Sequence, residues 1–139
     1  TGRGKDGPVR KASAKASNYR VIDYLTDMEL AYAVADLVLC RSGAGTVAEL
    51  AALGIPGYFV SLPIGNGEQE KNAAEAVRAG GARLVRDRDF SVKNVTDEII
   101  PLVLDGDRLA AMSTALSELM PVDADKRLAR LIEETGEMR

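Results

Sequence analysis

An alternation of short apolar runs with longer segments of helical periodicity constrains this chain more than any other feature. The runs Asp36–Cys40 and Gly57–Pro63 are short and mostly apolar, which is typical of strands buried on both faces of a parallel sheet. The helical segment between them ends at Gly54 with Pro56 close behind, a common pattern of helix termination. At least three such alternations in succession predict βαβ units, and therefore an α/β fold with a parallel sheet flanked by helices.

The same reasoning assigns the 139 residues to one domain. Polar and apolar residues alternate in Tyr19–Tyr24, and the residues at its centre are β-branched, which predicts a strand. The segment Ala82–Asp87 predicts another strand. Thr26 or Asp27 is expected to cap the helix after the first of these strands. The predicted helices are Val9–Ala16, Thr26–Asp36, Thr46–Leu53, Gly67–Ala79, Ser91–Leu104 (distorted by Pro101), Asp107–Leu119 and Asp123–Thr135.

Composition excludes several kinds of site. The chain has no histidine, so neither a Ser-His-Asp triad nor a histidine-based metal site can form within it. Its net charge of −3 argues against broad attraction to nucleic acid. The single cysteine, Cys40, is expected to be a small buried hydrophobe rather than a nucleophile. No apolar run approaches the ~20 residues needed to span a bilayer, so the chain is predicted to be cytosolic, with a peripheral membrane role open.

Ligands of open parallel sheets bind beyond the carboxyl ends of the strands, here the loops 24–27, 41–46, 61–68 and 86–91. In the segment "RSGAGTVAE", Gly43 and Gly45 allow close backbone approach before a helix start that can hold a phosphate. Thr46 and Glu49 also have the spacing of a capping box, and spacing alone favours that interpretation. Arg41 can pair with a phosphate or with a neighbouring carboxylate, and the sequence leaves both open.

The segment "PIGNGEQEKN" combines a glycine-containing loop with a polar helix start. Glu68, Gln69 and Asn72 share the first two turns of the predicted helix. Amide and carboxylate groups held there suit a sugar, whose hydroxyls both donate and accept hydrogen bonds. The alternative, slightly favoured by composition, is that Gln69 and Asn72 are simply solvated.

Together, these loops resemble one family in order and in register. The stretch from Tyr19 to Ala74 is similar to the donor-binding half of the MurG-type N-acetylglucosaminyltransferases, and the similarity continues more loosely to the C-terminus. These enzymes transfer GlcNAc from UDP-GlcNAc to the undecaprenyl-linked muramyl-pentapeptide, lipid I, at the inner face of the bacterial membrane. The resemblance implies a GT-B fold, of which this chain would be most of the Rossmann-like C-terminal domain without its first strand.

The resemblance also implies roles for individual residues. The backbone of Tyr24 and Leu25 would face the uracil, with Met28 packed nearby. The turn from Ser42 to Thr46 would lie against the diphosphate, and Glu49 would bind the ribose hydroxyls. The implied substrate-binding set is Tyr24, Leu25, Met28, Arg41, Ser42, Gly43, Ala44, Gly45, Thr46, Glu49, Glu68, Gln69 and Asn72.

This sequence departs from the family pattern in three respects. The family often has two glutamines where Glu68 and Gln69 stand here, and it commonly has a larger residue at Gly45. The candidate catalytic histidine belongs to an N-terminal acceptor domain, so no catalytic residue is expected in this chain. The expected partners are the N-terminal acceptor domain, the donor UDP-GlcNAc, and lipid I, which the acceptor domain would bind. No nucleic acid, metal or cofactor is expected. Two alternatives are a subunit of a two-chain transferase and a non-catalytic nucleotide-sugar binding module.

Overall fold

The computed structural model describes residues 3–119 and 124–136. By its internal contacts the chain divides into two compact units, Thr1–Val34 and Ala35–Arg139. The assignment to one domain stays a prediction.

The first unit contains two short helices, α1 (Gly7–Ser13) and α2 (Met28–Ala33). The strand predicted at Tyr19–Tyr24 does not form, so that prediction is wrong. The alternation of polar and apolar residues indicates which face of a strand would be buried. A strand also needs a neighbouring strand to complete its backbone hydrogen bonds, and the alternation does not reveal whether one is present. Asp27 occupies the N-cap position of α2, so the predicted cap position is confirmed, although its side chain makes no capping hydrogen bond.

The second unit is built on a parallel sheet of three strands, β1 (Val38–Cys40), β2 (Gly57–Ser61) and β3 (Ala82–Arg86). Their order in the sheet follows the chain, and both pairings are parallel. The central strand β2 is buried at all five positions, whereas Leu39 in β1 is 46% exposed. The predicted parallel α/β architecture is therefore confirmed, but β1 is not buried on both faces as its apolar run suggested.

Helix α3 (Ala44–Leu53) connects β1 to β2, and α4 (Glu68–Arg78) connects β2 to β3. The predicted stop after α3 is confirmed: Gly54 has a left-handed backbone (φ +65), and the Ile55 N–H donates to the carbonyl of Leu50 at 2.9 Å. The largest fully buried side chains of this unit include Leu50, Tyr58, Phe59, Leu102 and Leu116.

The segment predicted as one helix over Ser91–Leu104 is divided. It consists of a short helix α5 (Val92–Asn94), a π-helical turn over Val95–Ile99 and α6 (Ile100–Val103). Pro101 lacks the N–H that would bond back to the preceding turn, which accounts for the irregular backbone before it. The expected distortion by Pro101 is confirmed.

Two longer helices complete the described chain. Helix α7 spans Gly106–Leu119 and buries Met112 and Leu116, and α8 spans Ala124–Gly136. Both were predicted; the expected start of the last helix at Asp123 lies outside the described residues.

Candidate functional site

Helix α3 begins without a side-chain cap. Its N-cap is Gly43, with an extended backbone (φ −65, ψ 147), and Ala44 is the first helical residue. Thr46 is therefore the third residue of the helix rather than its cap, and the capping box predicted for Thr46 and Glu49 is wrong. The reason is backbone geometry: the N-cap is Gly43, three residues before the Thr46 that the spacing suggested.

This helix start has the properties of an anion site. The N–H groups of Ala44, Gly45 and Thr46 precede the first intrahelical donor, since the first such bond runs from the Val47 N–H to the Gly43 carbonyl at 3.0 Å. The first turn of α3 also contains no acidic residue. Exposed amides at the positive end of a helix dipole can bind a phosphate. Thr46 and Glu49, three residues apart, lie on one face of α3.

The residues of the turn differ in accessibility. Ala44 and Gly45 are exposed and Thr46 is half-buried, so their amides and the threonine hydroxyl can meet a ligand. Ser42 is fully buried, and its hydroxyl has no hydrogen-bond partner in the described structure. Of the predicted turn residues, Ser42 is therefore placed to shape the turn by its backbone rather than to contact a ligand by its side chain.

The second predicted loop is fixed to the fold by two amide side chains. Gln69 Oε1 accepts from the Leu62 N–H at 2.9 Å, and Asn72 Nδ2 donates to the Ser42 carbonyl at 3.2 Å. Both side chains are half-buried, so the interpretation of Gln69 and Asn72 as merely solvated is wrong. These bonds also orient the amides: Gln69 keeps its NH2 group for a ligand, and Asn72 keeps its carbonyl oxygen.

Glu68 occupies the first position of α4 and is exposed. It follows a loop in which Gly65 (φ +59) and Gly67 (φ +73) both have left-handed backbones, which only glycine adopts at little cost. An ionised Glu68 can only accept hydrogen bonds, whereas the oriented Gln69 offers both N–H donors of its NH2 group to a ligand. The pair therefore presents complementary groups at the carboxyl end of β2.

In the structure Arg41 pairs with a neighbouring carboxylate, while its contact with a phosphate stays a prediction. Its Nη1 donates to the Val60 carbonyl at 3.1 Å and forms an ion pair with Asp87 Oδ1 at 2.5 Å. Asp87 was not singled out in the sequence, although its loop, 86–91, was. The available signal was its position immediately after β3, at the same sheet edge as Arg41.

The predicted uracil-facing residues belong to the first unit. Tyr24 is 53% exposed, and the Arg3 guanidinium lies 4.5 Å from its ring centroid. The Tyr24 N–H donates to Asp23 Oδ1 at 2.8 Å. Leu25 is half-buried and Met28, which begins α2, is 42% exposed. Their assignment to a uracil stays a prediction.

Cys40 is half-buried at the end of β1, and burial raises the pKa of its thiol to about 11. The group is therefore protonated near neutral pH, which agrees with its predicted role as a small hydrophobe.

Among the residues that the structure describes, no three His, Cys, Asp or Glu side chains cluster closely enough to hold a metal ion. Within residues 3–119 and 124–136, no helix combines the length and the apolar character needed to cross a membrane.

The sequence profile of the glycosyltransferase family 28 C-terminal domain matches residues 1–129. The chain belongs to this family. A family 28 relative from Nocardioides sp. (strain ATCC BAA-499 / JS614) is 50% identical over 137 residues, and one from Saccharopolyspora erythraea is 52% identical over 118 residues. Both are called UDP-N-acetylglucosamine--N-acetylmuramyl-(pentapeptide) pyrophosphoryl-undecaprenol N-acetylglucosamine transferase.

The match covers 96% and 85% of this chain but only 38% and 31% of those relatives, so the chain spans about a third of their length. The crystal structure of Acinetobacter baumannii MurG superposes with a TM-score of 0.85 at 26% sequence identity, covering 96% of this chain and 41% of that one. The predicted resemblance and the GT-B fold class are thereby confirmed.

Proposed function

We propose that this chain is the donor-binding part of a glycosyltransferase that transfers GlcNAc from UDP-GlcNAc to undecaprenyl-pyrophosphoryl-MurNAc-pentapeptide, lipid I, in peptidoglycan synthesis. The names of the family 28 relatives support the reaction. The observation that carries the proposal for this chain is the uncapped start of α3, tied by Asn72 to the polar start of α4. One helix start suits a phosphate, and the other suits a sugar.

In the proposed complex the diphosphate lies against the amides of Ala44, Gly45 and Thr46. As the acceptor hydroxyl attacks the anomeric carbon, a new C–O bond forms and the bond from that carbon to the diphosphate oxygen breaks. The negative charge that develops on the departing UDP is stabilised by the same amides, which are already oriented. The base that takes the hydroxyl proton belongs to the acceptor domain, outside this chain.

The sugar and the ribose engage separate side chains. Gln69 donates to a GlcNAc hydroxyl, Glu68 and Asn72 accept from others, and Glu49 accepts from the ribose hydroxyls. The backbone of Tyr24 and Leu25 faces the uracil, and Met28 packs nearby. The proposal needs no cofactor besides the donor substrate, and it places the intact enzyme peripherally on the inner face of the bacterial membrane, where its N-terminal domain meets lipid I.

Calorimetric titration of this chain with UDP, UDP-GlcNAc and UDP-GalNAc tests the proposal. The parent is expected to bind UDP, and Glu49→Ala is expected to bind it ~10- to 100-fold more weakly, since charged hydrogen bonds contribute about 1.5–3 kcal/mol. Glu118→Ala, an exposed carboxylate on α7, is the matched control and should bind like the parent. Absence of UDP binding, or equal binding by Glu49→Ala, contradicts the proposed site.

A second measurement separates transfer from binding alone. Mixing the chain with the N-terminal domain of a relative, lipid I and UDP-GlcNAc is expected to restore GlcNAc transfer. Binding of UDP-GlcNAc without any transfer in that mixture would instead favour a non-catalytic nucleotide-sugar binding module.

A further inference from the structure

One guanidinium joins the carboxyl ends of all three strands. Arg41 directly follows β1, its Nη1 donates to Val60 of β2 at 3.1 Å, and it pairs with Asp87, the residue directly after β3, at 2.5 Å. The ion pair thus connects the first strand to the third across the second.

The end of β1 needs such a connection because its ladder is short. The pairing of β1 with β2 covers three residues and stops at Cys40 opposite Phe59. The bond from Arg41 to Val60 extends the link between the two strands by one residue. On the other side of Arg41, the Ser42 carbonyl is held by Asn72. The turn that precedes α3 is therefore fixed from β3 and from α4.

The ion pair also determines what Arg41 does near a phosphate. Its charge is balanced by Asp87, and its Nη1 is occupied by two acceptors. The amides of α3 are then left as the anion-binding groups, with Arg41 holding their geometry. We propose that Asp87 is a positioning residue of the UDP-sugar site and acts through Arg41 on the turn from Ser42 to Thr46. This inference rests on the proposed function.

A second ion pair provides a matched control. Arg86 and Glu70 form two hydrogen bonds, of 3.0 and 3.3 Å, that join β3 to α4 without touching the turn. Side-chain exposure is comparable in the two pairs: 55% and 40% for Arg86 and Glu70, against 47% and 43% for Arg41 and Asp87. Both pairs are partly solvated, so each loss should affect stability to a similar, small extent.

The test is UDP titration of the parent chain, Asp87→Asn, Asp87→Glu and Glu70→Gln, with thermal unfolding of each. Asp87→Asn is expected to weaken UDP binding about three- to tenfold, as for coupled neighbouring residues. Glu70→Gln should bind UDP like the parent despite a similar fall in Tm, and Asp87→Glu should restore most of the affinity. The double variant Arg41→Gln/Asp87→Asn should bind no more weakly than Arg41→Gln, because the two residues act as one unit.

A second readout does not depend on UDP. Amide hydrogen exchange at Val47, whose N–H donates to the Gly43 carbonyl of the turn at 3.0 Å, should accelerate in Asp87→Asn and stay at the parent rate in Glu70→Gln. Unchanged exchange together with unchanged UDP affinity in Asp87→Asn overturns the inference. Tighter UDP binding by Asp87→Asn also overturns it, since a released Arg41 would then be a phosphate ligand. If the parent binds no UDP but the exchange rates differ as stated, the proposed function fails while the positioning of the turn stands.

Discussion

Helices α3 and α5 begin in opposite ways, although each follows a strand of the same parallel sheet. At α5 Ser91 and Asn94 form a capping box, and the Ser91 N–H and hydroxyl both donate to Asn94 Oδ1, at 2.9 and 3.0 Å, so side chains cap that helix start. At α3 the N-cap is Gly43, which has no side chain to offer. We call a helix start closed when side chains cap it and open when none does. A closed start contributes only to the stability of the fold, whereas an open start leaves its first backbone N–H groups available to a ligand.

The start of α4 shows why an open helix start is not sufficient for a phosphate. Gly67 also lacks a capping side chain, but Glu68 and Glu70 stand in the first turn. The Glu68 carboxylate already interacts favourably with the helix dipole and repels an anion, whereas the charge of Glu70 is balanced by Arg86. Among α3, α4 and α5 of the described chain, α3 is thus the helix whose start suits a diphosphate, and the start of α4 suits an uncharged sugar.

Closing the open start should have the largest effect. In Gly43→Asp the new carboxylate caps α3, which should raise the free energy of unfolding by about 1 kcal/mol and weaken UDP binding ~10- to 100-fold. A Cβ at position 43 would meet nothing within 4 Å, so the substitution fits sterically. Urea unfolding and UDP titration measure the two opposite changes. Gly43→Ala, which adds no acceptor, is the control; UDP affinity equal to the parent's in Gly43→Asp would contradict the phosphate assignment.

Changing the donor at α4 should have the next largest effect. Gln69→Glu keeps an oxygen for the Leu62 N–H but removes the NH2 group, so UDP-GlcNAc affinity should fall about tenfold while UDP affinity stays the same. Calorimetric titration with both ligands measures the difference. Equal UDP-GlcNAc affinity in the variant would show that the Gln69 amide does not contact the sugar.

Removing the side-chain cap of α5 should change the stability of the fold but not UDP binding. Asn94→Ala removes the acceptor of both Ser91 bonds and should lower the free energy of unfolding by about 1 kcal/mol, with no change in UDP affinity. Urea denaturation, with the exposed neighbour Lys93→Ala as control, measures this change. A weaker UDP affinity in Asn94→Ala would mean that the two helix starts are not independent.

The smallest effect is expected from the first turn of α4. Glu68→Gln removes one carboxylate from the positive end of the helix and should destabilise the chain by ~0.3–1 kcal/mol at low salt. The loss should disappear at about 1 M salt, where the Debye length is ~3 Å. Thermal unfolding at two ionic strengths provides the measurement, and a salt-independent loss would indicate a different cause.

The elements that could be predicted from the sequence are those whose signals are local. Gly54 ends α3 and Pro101 disturbs the backbone before α6, because left-handed geometry and a missing N–H act at the residue itself. Tyr19–Tyr24 was misjudged because a strand depends on a neighbour that its own alternation does not reveal. The pairing of Arg41 with Asp87 joins residues 46 positions apart in the sequence, and only the sheet topology brings them together.

The candidate site shows the same division. The two ligand loops could be located because parallel strands place them at one sheet edge. The capping box at Thr46 was misplaced because spacing alone does not determine where the backbone enters the helix. The directions in which Gln69 and Asn72 can bond depend on Leu62 and Ser42, which the sequence pattern does not link to them.

The short ladder of β1 has a consequence for the dynamics of the unliganded chain. Its three residues pair with β2 at the side of the sheet, whereas β2 is buried throughout and bonded on both sides. Local opening should therefore begin at β1, and the amides of β2 should exchange only when the whole unit unfolds. A nucleotide bound at the turn after β1 would then stabilise the least protected strand of the sheet, so occupancy of the site and rigidity of the fold are thermodynamically linked.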